Sequence, residues 1–225
     1  MRKHIPNLLT ISNLICGCLA LFYSFHNNLI ASACLIGIAS IFDFMDGFVA
    51  RMLKESSPIG KELDSLADLV SFGLVPGSVI FHLIDTSYLH TYSFIALAIP
   101  IFSAYRLAKF NTDERQNKYF IGLPTPANAL IILSIPLITH LQPNSFISRF
   151  INIPEFLIFA TIILSILLVS ELHLLSFKFK TLRFNENKGQ YYFIGISLIM
   201  IVLLKFSAIP ILAIIYLLIS ILTIN

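Results

Sequence analysis

The sequence predicts an all-α fold, a polytopic transmembrane helical bundle of about eight spans with both termini in the cytosol. Three observations point to it. Of the 225 residues, 57% are hydrophobic and only 12% charged, against roughly 25% charged in a soluble globular domain. Too few polar residues remain to cover a water-facing surface, whereas a bilayer accepts the 20 Phe and a mean hydropathy of +0.86. Apolar runs recur along the chain at close to the ~20 residues that one crossing requires. The basic residues fall almost entirely on one side of those runs.

The runs lie near residues 8–25, 29–50, 63–84, 91–110, 125–141, 155–175, 191–205 and 208–224. The first follows Arg2 and Lys3 without a small-residue cleavage site, so it reads as a retained helix. Only six residues, Lys205 to Pro210, separate the last two. One uninterrupted helix there exceeds any ordinary membrane, and a hairpin is expected. Pro136 and Pro210 are expected to kink or end helices.

With a cytosolic N-terminus, Arg2, Lys3, Arg51, Lys54, Lys61, Arg106, Lys109, Arg115, Lys118, Lys178, Lys180, Arg183 and Lys188 face the cytosol. Only Arg149 and Lys205 fall outside, a 13 to 2 split that favours an even number of spans. Residues 1–225 read as a single integral membrane domain, without a repeat or a low-complexity tract. Disorder, a collagen-like chain and a disulfide scaffold are excluded, and nothing supports a nucleic-acid partner. Cys16, Cys18 and Cys34 sit inside apolar runs and are expected to pack in the core. The six His share no ligand spacing, and Tyr119, Tyr191 and Tyr192 read as interfacial anchors.

Chemistry concentrates in Asp43, Asp46, Asp64 and Asp68, within or at the cytosolic ends of the second and third runs. A carboxylate at a helix centre costs about 2.5 to 3.5 kcal/mol, and converging negative charges repel unless cations neutralise them. At ~100° per residue Asp43, Asp46, Gly47, Ala50 and Arg51 share an arc of about 140°. Gly60, Asp64, Asp68 and Ser71 share about 80° of the next helix, and the short loop makes the two helices antiparallel neighbours. Oxygen donors without nearby His or Cys select Mg²⁺, Mn²⁺ or Ca²⁺ rather than zinc. Gly47, Ala50 and Gly60 let a ligand approach the backbone, and Arg51 offers a fork for phosphate. Thr10, Asn13 and Gly17 add a small and polar stripe on the first helix. An isolated intramembrane Asp is often a packing hydrogen bonder, and an ion-coupled transporter also uses intramembrane carboxylates. These Asp residues, however, cluster toward the cytosolic side beside Arg51.

Residues 43–68 read D-F-M-D-G-F-V-A-R, eight residues, then G-K-E-L-D-S-L-A-D. This resembles the signature of the CDP-alcohol phosphatidyltransferases, D-x2-D-G-x2-A-R-x8-G-x3-D-x3-D, at every defining position. The resemblance implies a helical membrane enzyme, usually a homodimer, that cleaves the pyrophosphate of a CDP-linked lipid and passes the phosphatidyl group to an alcohol. It implies Asp43, Asp46 and Asp64 as metal ligands and Asp68 as metal-associated general base. The stretches Pro6 to Gly17, Glu62 to Pro76, Arg106 to Asn111 and Phe120 to Pro126 resemble the serine-using, membrane-type branch found in bacteria and archaea. Leu69 follows the fourth Asp where the glycerophosphate and inositol-phosphate branches usually carry a basic residue, and Lys109 stands where the serine branch commonly has Arg.

The expected donor is CDP-diacylglycerol, held by Thr10, Asn13, Gly47, Ala50, Arg51 and Gly60. The expected acceptor is L-serine, its carboxylate read by Arg106 and Lys109, which are i,i+3 on one helix face. Other alcohol acceptors and the transporter are the alternatives. The catalytic core is expected over about 6–175, with two further helices at 191–224, in a cell membrane with the site facing the cytosol. Because the basic asymmetry places the C-terminus inside, a cysteine introduced at Asn225 in a background free of native cysteines should resist a membrane-impermeant reagent in sealed cells. Labelling from outside refutes the even span count.

Overall fold

The computed structural model describes residues 4–53, 57–112, 120–174 and 188–224. Arg2, Lys3, Lys54, Arg115, Lys118, Tyr119, Lys178, Lys180 and Arg183 lie outside the described residues, as does most of the basic segment before α9. The protein is an all-α membrane protein. Among the described residues five helical stretches are long and apolar enough to cross a membrane: Ile5–Phe25, Leu29–Leu53, Pro58–Asp85, His90–Thr112 and Phe193–Ser220, the last of which folds back within its length. Thr125–Leu141 and Pro154–Val169 are shorter apolar helices.

Helix α1 (Ile5–Phe25) opens with Pro6 in its first turn, where the missing N–H has no partner to lose. Its buried stripe is Pro6, Thr10, Asn13, Gly17, Ala20 and Ser24, small and polar rather than bulky. Asn27 ends the helix at a φ of 61°, the left-handed conformation that Asn tolerates. The chain reverses there into α2 (Leu29–Leu53), which lies along α1 over most of its length.

Helix α3 (Pro58–Asp68) is capped by the Ser57 hydroxyl, which accepts from the Gly60 N–H at 3.0 Å. It continues without a break through a π-helical segment, Leu69–Leu74, into α4 (Val75–Asp85). The widened turn has a local cause. Pro76 has no N–H, and its ring collides with the carbonyl four residues back in a regular helix. The N–H of Val75 reaches five residues back to Val70 instead. The π segment therefore begins directly after Asp68.

A 3₁₀ segment, His90–Leu97, leads into α5 (Ala98–Thr112), so the run expected as one helix starts as a tighter coil. Helix α5 packs against glycines. A Cβ at Gly73 would stand 3.1 Å from the Ser103 Cβ, and one at Gly77 would stand 2.9 Å from the Pro100 Cδ. Strand β1 (Phe120–Ile121) pairs antiparallel with β2 (His173–Leu174). Between β1 and α6 (Thr125–Leu141) the chain turns at Gly122, with φ of 73°. Pro136 sits inside α6 without ending it. A short α7 (Phe146–Ile151) precedes α8 (Pro154–Val169).

The last two helices, α9 (Lys188–Leu204) and α10 (Ala208–Ile224), are joined by the 3₁₀ turn Lys205–Ser207. They fold back on each other, with the Phe193 and Tyr216 rings 5.8 Å apart, as the hairpin reading expects. Gln142 fastens the turn: its Nε2 donates to the Leu204 carbonyl at 3.0 Å, and its Oε1 accepts from the Ser207 N–H at 3.1 Å.

Two apolar cores fill the bundle. One joins Ala20, Ile36, Ala39, Phe72, Val75 and Ala129 from α1, α2, the π segment, α4 and α6. The other joins Ile80, Ile84, Ile99, Ile132, Ile138 and Leu157 from α4, α5, α6 and α8. The cysteines do not all follow the expectation of core packing. Cys16 is half-buried, but Cys18 and Cys34 are exposed on the outer surface, where a thiol is compatible with lipid.

Helix α1 meets the π segment so closely that a Cβ at Gly17 would stand 2.3 Å from the Ser71 Oγ and 3.0 Å from its Cα. A Cβ at Gly37 would have nothing within 4 Å. Gly17→Ala should therefore lower stability in detergent by about 1 to 3 kcal/mol through overpacking. Gly37→Ala should be neutral or raise it by about 0.5 to 1 kcal/mol through helix propensity. Thermal unfolding of the two variants checks the contrast.

Candidate active site

Three helices build one polar centre. Helix α2 contributes Asp43 and Asp46, α3 contributes Asp64 and Asp68, and α1 contributes Thr10 and Asn13. One carboxylate oxygen each from Asp43, Asp64 and Asp68 lies within 4.8 Å of the others. Asp46 is held beside this trio. Thr10 Oγ1 has one proton and two acceptors in reach, the Pro6 carbonyl at 3.1 Å and Asp46 Oδ2 at 2.7 Å. The shorter, charge-assisted contact takes it. Asn13 Nδ2 donates to Asp68 Oδ1 at 3.2 Å, and the Asn13 carbonyl accepts from the Ser71 hydroxyl at 3.2 Å. Each α1 side chain thus fixes one carboxylate of a different helix.

Among the described residues no Lys, Arg or His forms an ion pair with these four carboxylates; the pair present is Lys109 with Glu171 at 3.2 Å. Two unit charges about 5 Å apart repel by about 3 kcal/mol at an effective dielectric constant of 20. The donor set fits a hard divalent cation. It is all oxygen, it converges from two helices, and Asp64 Oδ1 is buried with no hydrogen-bond partner of its own.

A cavity of about 640 Å³ opens beside the cluster, within the range of small-ligand sites. Thr10, Asp46, Gly47, Ala50, Gly60 and Asp64 line it, so most of the residues expected to hold the donor lipid share one wall system. A Cβ at Gly60 would lie 2.9 Å from Ser57 Oγ and 3.0 Å from Asn7 Oδ1, so those side-chain ends would have to shift to admit it. The Arg51 guanidinium lies alongside Gly47, about 3.9 Å from the position of a Cβ there. His4, Asn7, Ser57 and Lys61 line the same cavity and were not singled out by the sequence. Asn7 was within reach of that reading, because it extends the Thr10 and Asn13 stripe by i−3.

Arg106 and Lys109 do not line this cavity. Arg106 is buried, and its Nη1 donates to the Ile121 carbonyl at 2.9 Å and the Leu168 carbonyl at 3.2 Å. Lys109 points to Glu171 at the exposed end of α5. Nearby, Asn111 ties α5 to α3: its Nδ2 donates to Ser65 Oγ at 2.8 Å, and its carbonyl accepts from Lys61 Nζ at 2.7 Å.

The profile of the CDP-alcohol phosphatidyltransferase family matches residues 3–169. The chain belongs to that family. The match takes in α1 to α8, including all four Asp residues and both α1 side chains that hold them. The chain is 38% identical over 138 residues to a CDP-diacylglycerol–serine O-phosphatidyltransferase of Bacillus subtilis, covering 59% of this chain and 76% of that one. It is 30% identical over 175 residues to the protein of the same name from Helicobacter pylori, covering 77% and 72%. For that of Methanocaldococcus jannaschii the identity is 36% over 150 residues, covering 66% and 69%. The Thr10 hydroxyl touches the carboxylate cluster only through Asp46. Thr10→Val keeps the shape and removes the donor, and should weaken Mn²⁺ binding by roughly 10- to 100-fold, as loss of a supporting contact does. Electron paramagnetic resonance of the purified protein titrated with Mn²⁺ measures it.

Proposed function

We propose that the protein transfers the phosphatidyl group from CDP-diacylglycerol to the hydroxyl of L-serine, giving phosphatidylserine and CMP. The observation that carries this reading is the convergence of Asp43, Asp64 and Asp68 beside a cavity of about 640 Å³ in a chain that bears the family signature. The three relatives above, all of them named for serine, support the acceptor.

Asp43, Asp46, Asp64 and Asp68 would hold divalent metal, Mg²⁺ or Mn²⁺, with Ca²⁺ as a further candidate. Bound there, it offsets negative charge on the pyrophosphate. Thr10, Gly47, Ala50, Arg51 and Gly60 receive the CDP-lipid, with Arg51 offering paired donors to phosphate oxygens. Asn13 orients Asp68 through the 3.2 Å contact to its Oδ1. The serine hydroxyl oxygen bonds to the lipid-side phosphorus, its proton passes to Asp68, and the bond from that phosphorus to CMP breaks. Arg106 and Lys109 receive the serine carboxylate, Arg106 through the guanidinium nitrogens that the two carbonyls leave free. The setting we infer is a bacterial or archaeal cell membrane, with about eight spans, a homodimer, both termini and the site on the cytosolic side, and membrane lipids as neighbours.

Release of CMP from CDP-diacylglycerol by the purified protein, with Mn²⁺ or Mg²⁺ and a panel of alcohols, tests the reading. Serine should support release, and ethanolamine, which lacks the carboxylate, should be a very poor acceptor. EDTA and Asp68→Asn should each abolish turnover, and the Asp68 variant should still bind CDP-lipid. Arg106→Lys keeps the charge but loses the fork, and should raise the serine KM by roughly 10- to 150-fold, the equivalent of about 1.5 to 3 kcal/mol. Equal rates with ethanolamine and serine, or full turnover after exhaustive chelation, overturn it.

A further inference from the structure

A second polar centre lies deeper in the bundle, apart from the Asp cluster. On α5, α6 and α8 the apolar core around Ile99, Ile132 and Leu157 gives way to polar side chains toward the end of the bundle where Asn111 ties α5 to α3. Ser103 lies one turn from Ile99, Asn128 one turn from Ile132, and Ser165 two turns from Leu157. Their exposures are 0%, 0% and 2%. Among the described residues Ser103 Oγ, Ser165 Oγ, Asn128 Nδ2 and Asn128 Oδ1 have no hydrogen-bond partner.

One turn further on stands Arg106. It follows Ser103 by three residues on α5, and the carbonyl that it holds, Leu168, follows Ser165 by three residues on α8. Its other carbonyl, Ile121, stands just before the Gly122 turn that starts α6 and so leads to Asn128. Arg106 is 7% exposed, and among the described residues its guanidinium has neutral carbonyls and no carboxylate as partners. Buried polar atoms are nearly always satisfied, and a buried cation needs an anion. Ser103 and Ser165 thus stand about one turn before the two ends of the Arg106–Leu168 contact, and Asn128 adds two more such atoms on α6. Ser103 also faces the Gly73 position of the π segment, which continues directly from Asp68.

We propose that Asn128, Ser103 and Ser165 form the inner wall of the acceptor subsite and receive the α-ammonium group of an amino-acid alcohol whose carboxylate lies on Arg106. An ammonium brings three donors and no acceptor, and Asn128 Oδ1 and the two hydroxyls are free acceptors for it. A ligand with a carboxylate, an ammonium and a hydroxyl on adjacent carbons satisfies the orphan charge and the orphan acceptors together. Its hydroxyl is left for Asp68. The assignment rests on the serine reading above and adds specificity-determining residues to it.

The test is kinetic, on the full-length protein. Asn128→Leu and Ser103→Ala should each raise the serine KM, Asn128→Leu by at least roughly tenfold, while the KM for CDP-diacylglycerol stays within about twofold. Tm should hold or rise, because an unpartnered buried amide replaced by an apolar side chain of similar size is not a loss to the fold. Inhibition by 3-hydroxypropanoate, which keeps the hydroxyl and carboxylate but lacks the amine, should be unchanged by Ser103→Ala. An unaltered serine KM in both variants means that buried water satisfies these groups and overturns the assignment alone. If Asn128→Leu fails to fold, Ser103→Ala decides by the same criterion. A parallel rise in the KM for CDP-diacylglycerol also overturns it, since that marks general distortion. A wild-type protein that releases CMP with another alcohol and not with serine overturns the serine reading, and this assignment with it.

Discussion

Charge inside an apolar bundle is the constraint on which the rest of this structure depends. Four carboxylates from two neighbouring helices repel one another wherever they stand, and in a low-dielectric surrounding that repulsion is poorly screened. Helix α1 is what makes the arrangement possible without spreading the helices. Through Thr10 it holds Asp46 to one side, and through Asn13 it holds Asp68 by one oxygen. The other carboxylates are left to converge with Asp68, within 4.8 Å. A centre so built presents oxygen donors alone, the donor type that suits a hard cation.

Such contacts require helix backbones to come close. Bulky side chains along α1 would hold Asn13 away from Asp68, and the buried face instead reads Thr10, Asn13, Gly17, Ala20 and Ser24. Gly17 lets α1 reach Ser71, while Gly73 and Gly77 let α5 reach the opposite side of the same long helix. In lipid, where helices gain nothing by hiding apolar surface from water, close packing and interhelical hydrogen bonds of this kind hold a bundle together. The π segment has its place here too. It widens the helix directly after Asp68 and sets the side on which Ser71 and Gly73 emerge, so one proline at position 76 influences the geometry on both faces.

Beyond the carboxylates, the same end of the bundle is stitched by hydrogen bonds of side chains and backbone. Arg106 spans β1 and the end of α8, the β1 to β2 pair joins the segments around α6 and α8, and Asn111 links α5 to α3. Each joins elements far apart in sequence. The opposite end of α6 uses a similar device in Gln142, which fastens the α9 to α10 turn. Contacts of this kind hold helices in place, the condition under which positioned oxygens and donors are effective in catalysis.

Much of this was legible in the sequence. The apolar runs fixed the helical class, the short spacer around Lys205 foretold the hairpin, and the helical periodicity of Asp43, Asp46, Asp64 and Asp68 with Gly47 and Gly60 placed them on facing stripes. These properties are local: a helix has a known rotation per residue, so the relation of residues three or four apart needs no knowledge of the fold. The tertiary structure alone decided which carboxylates meet and which one Thr10 draws aside, that Arg106 is buried between two carbonyls while Lys109 pairs outward, and that Cys18 and Cys34 face out of the core. It also decided that Asn128, Ser103 and Ser165 are each buried without a hydrogen-bond partner for their side chains. The rotation and depth of one helix against another are set by long-range packing, through glycine contacts and a π turn, and no periodicity within a single helix carries that information.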